Sequence, residues 1–221
     1  MTVRSMMFAV ALGGLTAACS SQPSGVSRSA HAPTPPAPVA ALPAPSAPVD
    51  RLAAMAATAI NPRLAGAEML GTRTIAANFA AAPNLRTLVS ALRASDAGRS
   101  LGAAGPVTVF APSDAAFARM SPGIVNELLQ PANRATLNKL VNYHVVPGTI
   151  TLEELRSRID RSGGVARLPT LDGAMLLARK EGEAVALTDS HGNKSYVETP
   201  DVQQTDGVFH VINGVMVPRL A

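Results

Sequence analysis

Residues Val107 to Phe117 read VTVFAPSDAAF, and the fold class follows from this stretch. Val107, Thr108, Val109 and Phe110 are β-branched or aromatic, which predicts a short buried strand. Pro112 lacks the backbone donor that a ladder needs and stops the strand. Ser113 or Asp114 then supplies an oxygen that can accept from the first free amides of a helix. Phe110 and Phe117 are natural core anchors on the two sides of that junction.

Helical patterns surround this strand. In NLRTLVSALRASD, Leu85, Leu88, Val89 and Leu92 recur at helical spacing, with Asn84 as the expected cap. In NRATLNKLVNYH, Asn133 can cap, and Leu137, Leu140 and Val141 form the apolar stripe. In TLEELRSRI, Thr151 and Glu154 have the spacing of a capping box. The cations Arg156, Arg158, Arg161 and Arg167 read as a solvated helix end, where positive charge suits the dipole.

The last fifty residues read as strands. Ala174 to Ala178 and Ala184 to Thr188 flank the turn formers Lys180-Glu181-Gly182-Glu183. Ser195 to Glu198, Val208 to Ile212 and Val215 to Val217 follow. Asn213-Gly214 between the last two predicts a tight hairpin, whose turn positions need φ > 0. Helices first and antiparallel strands later make an α+β fold.

The N-terminal third has a different character. Arg4 precedes an apolar run from Met6 to Leu15, too short to cross a ~30 Å hydrocarbon core. Ala17 and Ala18 then precede Cys19, the one cysteine of the chain. This is the layout of a secretory signal. Leu15 to Cys19 resembles a bacterial lipobox, which implies lipid attachment at Cys19. Ser20 after the cysteine implies outer-membrane retention. Thr16 stands where the lipobox prefers Leu; the other reading is an ordinary signal peptide with an incidental Cys19. Nine of the eighteen prolines fall between Ser20 and Pro62, which predicts an extended, semi-rigid stalk. The expected organisation is a signal peptide over 1–18, a Pro/Ala-rich disordered stalk over 19–65 and a folded domain over 66–221. A short helix with Asp50 as its cap is possible at 50–60.

Composition excludes several function classes. The chain has 221 residues, 47% hydrophobic, 15% charged and 3% aromatic, without tryptophan. That is too apolar for a fully disordered chain. Too few aromatics are present for single-stranded nucleic acid to stack on. The net charge is +4, but from Gly66 onward fifteen Lys and Arg face fourteen Asp and Glu. No clustered positive surface is expected, so nucleic acid is not an expected partner. HExxH, P-loop, GxGxxG and GxSxG motifs are absent, and no two histidines have i, i+4 spacing. Ser190 and His191 are neighbours in sequence, which says nothing about a triad. Neither an enzyme, nor a metal, nor a cofactor is expected.

Three stretches in order, VTVFAPSDAAF, YHVVPG (Tyr143 to Gly148) and TDGVFHVINGVMVP (Thr205 to Pro218), resemble the fasciclin domain, a family of extracellular adhesion modules. The resemblance covers about 150 residues. It implies a wedge of antiparallel β-strands packed with a cluster of α-helices. It also implies contact with a cell-surface or extracellular-matrix protein or glycan through the Tyr143-His144 pair. The family's Asp-Ile dipeptide maps to Asp201-Val202, which loses one methyl group. Asp206 stands where the family usually has Asn, Asn213 where Asp is usual, and Phe209 where a branched aliphatic is usual. His144 by itself reads as a hydrogen-bonding core group. The expected function is therefore a secreted cell-envelope adhesion module joined to the membrane by lipid. The alternative is a carrier of an apolar ligand such as a carotenoid or lipid, which some relatives bind. In that reading an apolar groove opens between helices and sheet; otherwise Met120, Met175 and Met216 fill gaps in the core.

Overall fold

The structure is a computed structural model and describes residues 61–219. The signal segment, Cys19 and the stalk up to residue 60 lie outside the described residues, as does the expected helix at 50–60. The folded part starts before Gly66. The Asn61 amide donates to the Gln203 carbonyl (2.8 Å), and its Oδ1 accepts from the Gln203 amide. Leu64 is buried with Met69 and Ile75. Residues 61–65, expected in the stalk, therefore belong to the domain, because one apolar side chain and one amide side chain find partners there.

Among the described residues seven α-helices come first or pack beside the sheet: α1 Ile75–Ala81, α2 Arg86–Ala94, α3 Ala97–Ala103, α4 Asp114–Ala118, α5 Ile124–Leu128, α6 Arg134–Tyr143 and α7 Leu152–Arg161. The strands are β1 Val107–Pro112, β2 Val145–Pro147, β3 Ala166–Pro169, β4 Met175–Glu181, β5 Ala184–Thr188, β6 Lys194–Gln204 and β7 Gly207–Ile212. They form one sheet of order β2-β1-β7-β6-β5-β4-β3. Its ends approach each other, and the Leu171 amide donates to the Val145 carbonyl (2.8 Å). The sheet is thus a nearly closed barrel. The α+β class stands. The sheet is mixed rather than wholly antiparallel, because β1 and β7 pair in parallel, Val107 with Gly207 through Pro112 with Ile212.

That parallel pair is the centre of the molecule, and both of its faces are covered. Val107, Val109 and Ala111 point with Phe209 and Val211 into a core shared with Phe79, Leu85 and Leu88 of the helical layer. Phe110 and Ile212 point the other way, into a core with Tyr143, Ile150, Leu155 and Leu176. Strands buried on both faces read as unbroken apolar runs, which is the pattern of β1 and β7. Gly207 permits the close approach: a Cβ there would stand 2.0 Å from the Val107 carbonyl oxygen.

The helix caps show where local reading succeeds. Ser113 Oγ accepts from the Ala116 amide (3.3 Å) and starts α4. Thr151 Oγ1 accepts from the Glu154 amide (3.2 Å) and starts α7. The other half of that capping box is not formed, since Glu154 instead pairs with Arg158 and Arg161. Arg158 and Arg161 occupy the last turn of α7, as the solvated helix end requires. Asn84 does not cap α2. Asp114, nearly thirty residues on, accepts from the amides of Arg86 (3.3 Å) and Thr87 (2.8 Å). Asn133 does not cap α6 either; its amide donates to the Glu127 carbonyl.

The expected hairpin at Asn213-Gly214 is not formed. β7 ends at Ile212, and Val215 to Val217 form no strand. Gly214 is not among the glycines of positive φ. The reason is topological. β7 lies between β1 and β6, so a returning strand has no open edge to pair with. Asn213 instead imitates one more strand residue: its amide donates to the Tyr196 carbonyl, and its Oδ1 accepts from the Tyr196 amide (2.9 Å). The β6–β7 turn, through Thr205 and Asp206, is the tight one here.

Candidate interaction site

The two residue pairs singled out in the sequence do not form one surface. Tyr143 is buried in the core with Phe110 and Ile150, whereas Val202 is buried in the core with Phe79 and Phe209. Tyr143 and Val202 are both 0% exposed and His144 is 2% exposed. These three therefore offer a partner no area for direct contact in this conformation. Asp201 alone reaches the surface, with its side chain 37% exposed.

Each buried group has a defined task. Tyr143 closes α6, and its hydroxyl donates to the Met175 carbonyl (3.2 Å). Burial pushes the Tyr143 phenol pKa up. His144 Nδ1 donates to the Leu140 carbonyl (2.8 Å), and its Nε2 accepts from the Met216 amide (3.0 Å). This donor and acceptor pair fixes a neutral tautomer. Burial lowers the His144 pKa to about 4, with the Leu140 carbonyl opposing.

His210 lies on β7. It is the pivot between the two halves of the site. It is fully buried and stacks on Phe110 at 5.5 Å between ring centres. Its Nε2 donates to the Ile150 carbonyl (2.8 Å), and its Nδ1 accepts from the Asp201 amide (3.1 Å). Burial lowers its pKa also. With both ring nitrogens engaged, neither His144 nor His210 has a lone pair left for a metal or a proton transfer.

Asp201 sits at φ +57°, a left-handed conformation that Asp tolerates better than most residues. Its Oδ1 accepts from the Leu152 amide (2.7 Å), a second acceptor at the start of α7. Thr108 completes the frame: its hydroxyl donates to the Gly148 carbonyl (2.6 Å) and accepts from the Ile150 amide (2.8 Å). His210, Asp201 and Thr108 therefore converge on one short segment, Pro147 to Glu153, whose residues Pro147, Gly148 and Glu153 are exposed.

A second hub holds the C-terminal chain. Asp189 accepts from the amides of His191, Asn193 and Val217 and from the Asn193 side chain, at 2.9–3.0 Å. These donors lower its pKa against the opposing effect of burial. The turn-forming run Asp189 to Asn193 was the available sequence signal. Its long-range donor, Val217, was not legible there.

A profile of the fasciclin domain matches residues 83–218, more than half of the chain. The chain belongs to the fasciclin-domain family. Protein sll1483 of Synechocystis is 40% identical over 134 residues, covering 61% of this chain and 67% of that protein. The transforming growth factor-beta-induced protein ig-h3 of Oryctolagus cuniculus is 31% identical over 134 residues, 59% of this chain but 17% of that much longer protein. Among solved structures, the FAS1 domain pair of the insect cell adhesion molecule Fasciclin I has a TM-score of 0.59 at 19% identity. It covers 69% of this chain, and this chain spans 52% of that one. That likeness shows the fold.

Proposed function

We propose that this fasciclin-domain protein is a non-catalytic interaction module of the cell envelope, anchored by lipid at Cys19. The stretch before Asn61 serves as its stalk, and the domain holds a surface or matrix protein or glycan. One observation carries the proposal: the family's characteristic residues converge, from beneath, on the exposed segment Pro147 to Glu153. His210 holds Ile150, Asp201 holds Leu152, and Thr108 holds Gly148 and Ile150. In this reading the motif residues shape the contact surface, and Asp201 and Glu153 touch the partner. A stalk raises the local concentration of such a weak contact and makes it effective.

Beads coated with the full chain test this on envelope-exposed cells. Asp201→Asn keeps an acceptor for Leu152 and tolerates positive φ, and it removes only the charge. The expected outcome is that Asp201→Asn and Glu153→Gln together lower adhesion severalfold with an unchanged melting temperature. If both variants fold and adhere like wild type, this segment is not the contact.

A further inference from the structure

Strands β3, β4 and β5 send alternate residues inward. Leu168, Leu176 and Leu187 enter the core that α7 joins through Leu155 and Ile159. The core of the helical layer takes no residue from these three strands, so among the described residues no helix covers their outer face. The strand register fixes what stands there. One row runs from β3 to β6: Arg167 faces Leu177, Leu177 faces Thr188, and Thr188 faces Lys194. Three strand spacings make this row ~14 Å long. In the next row Arg179 faces Ala186, and Ala186 faces Tyr196. On the other side Pro169 faces Met175, which at 50% exposure is the most exposed large hydrophobic among the described residues.

A sheet face left to water ordinarily carries charges of both signs. Here the balance is tipped. Glu181 is occupied on both oxygens: Lys194 Nζ lies 2.6 Å from Oε1, and the Tyr196 hydroxyl donates to Oε2 (2.8 Å). Glu198 is exposed beyond Tyr196 on β6, on the side away from the Arg167 row. Arg167 and Arg179 are both exposed. The ion pairs of β4 are Lys180 with Asp160 and Glu181 with Lys194; neither Arg167 nor Arg179 has a partner among the described residues. As diagonal neighbours across β3 and β4, the two arginines start ~7–8 Å apart. The face is therefore shallow and positive, with Met175, Leu177 and the Tyr196 ring between its charges.

We propose that this outer sheet face binds an acidic polysaccharide whose charges are uronate carboxylates. Arg167 and Arg179 supply two planar donor forks that match carboxylates. Thr188 offers a hydroxyl to sugar hydroxyls, and the Tyr196 ring an apolar surface. Other polyanions fit less well. A peptide joins a sheet at its edge, and the edge strands β2 and β3 are drawn together by the bond from Leu171 to Val145. One aromatic ring is too few for bases to stack along. Two free arginines and one paired lysine fall short of the roughly four to eight cations of an anionic-membrane patch. This surface is separate from the Pro147 to Glu153 segment, whose exposed side chains Asp201 and Glu153 are acidic, and it does not depend on that reading.

Fluorescence anisotropy of end-labelled hexagalacturonate, titrated with the full chain, tests it. Binding should saturate and should weaken as salt is raised. The methyl-esterified hexamer keeps the sugars and loses the carboxylates, and should bind about tenfold more weakly. Arg167→Gln with Arg179→Gln should weaken hexagalacturonate binding about fivefold at an unchanged melting temperature. Glu181→Gln keeps an acceptor for Tyr196 and releases Lys194, so it should tighten binding. A methyl ester that binds like the free acid would overturn the proposal, and that comparison needs only the wild-type chain. So would an arginine double variant that folds and binds like wild type, a Glu181→Gln variant that binds no tighter, or no saturable binding. Hexaglutamate binding as tightly as hexagalacturonate would assign the face to acidic peptides. Association with anionic vesicles without hexagalacturonate binding would assign it to a membrane surface. Either result overturns the polysaccharide.

Discussion

His144 and His210 show how a polar side chain can be core material. Each ring donates once and accepts once, to backbone groups that would otherwise be buried without partners. Both are held neutral by burial, and the pH dependence follows in sign. The folded-state pKa of His144, about 4, lies below its ordinary value of 6.5. The neutral ring's contribution is complete above pH 6.5 and is lost as pH falls toward 4, up to roughly 3 kcal/mol. His210 acts in the same direction. Asp206 opposes them, because burial raises its carboxyl pKa and favours its neutral form. Asp189 is held below its ordinary value, so its loss falls below about pH 4. Thermal melts at pH 7.0 and 4.5 should therefore show a larger drop for wild type than for His144→Asn, although the variant starts lower. Equal drops would show that His144 is not the titrating group.

Among the elements, the segment after β7 departs most from its local sequence signal. Asn213-Gly214 has the composition of a hairpin turn, yet the chain continues as a strap held from four places, by the Tyr196 backbone and by three side chains. Tyr196 brackets Asn213, Arg119 donates to the Asn213 carbonyl (2.9 Å), His144 holds Met216, and Asp189 holds Val217. Gly214 is required for close approach rather than for its dihedral freedom. A Cβ there would lie 2.5 Å from Ser195 Oγ, and Ser195 is itself buried. Gly214→Ala should cost about 1–3 kcal/mol through this overlap. Adding Ser195→Ala, which removes the oxygen, should restore most of the loss. If the second substitution restores nothing in chemical denaturation, backbone strain and not the contact is responsible.

At the scale of the whole molecule, the domain is one link of a proposed chain of lipid, stalk and contact surface. Residues 61–65 are fastened to the rest of the domain through Asn61 and Leu64. The pull on a tether would reach β6, since Asn61 bonds to the Gln203 backbone on both its donor and acceptor sides. Cys19→Ala should abolish lipid labelling and membrane retention while leaving the melting temperature unchanged. Labelling equal to wild type would overturn the anchor.

Much of this was legible along the chain because its causes are local. Val107 to Phe117 contains a β-branched run, a proline and a capping serine, and these alone place β1 and start α4. Thr151 starts α7 in the same way, and the apolar spacing of Leu137, Leu140 and Val141 turns one face of α6 inward. The tertiary structure decided what depends on residues distant in sequence. Asp114 displaced Asn84 as the cap of α2 because the loop before α2 and the start of α4 lie side by side, the Asp114 amide donating to the Asn84 carbonyl (2.8 Å). The hairpin after β7 was lost because β1 and β6 already occupied both edges of that strand. Helix α1 buries Ile75, Asn78 and Phe79 and leaves only alanines outside, too short a pattern to mark the helix in the sequence. Tyr143 and Val202 went inside because their apolar surface is worth more in the two cores than at a contact, and only Asp201 kept a charge in water. Periodicity and turn chemistry act within a few residues, so sequence reports them; pairing order and burial are properties of the assembled sheet.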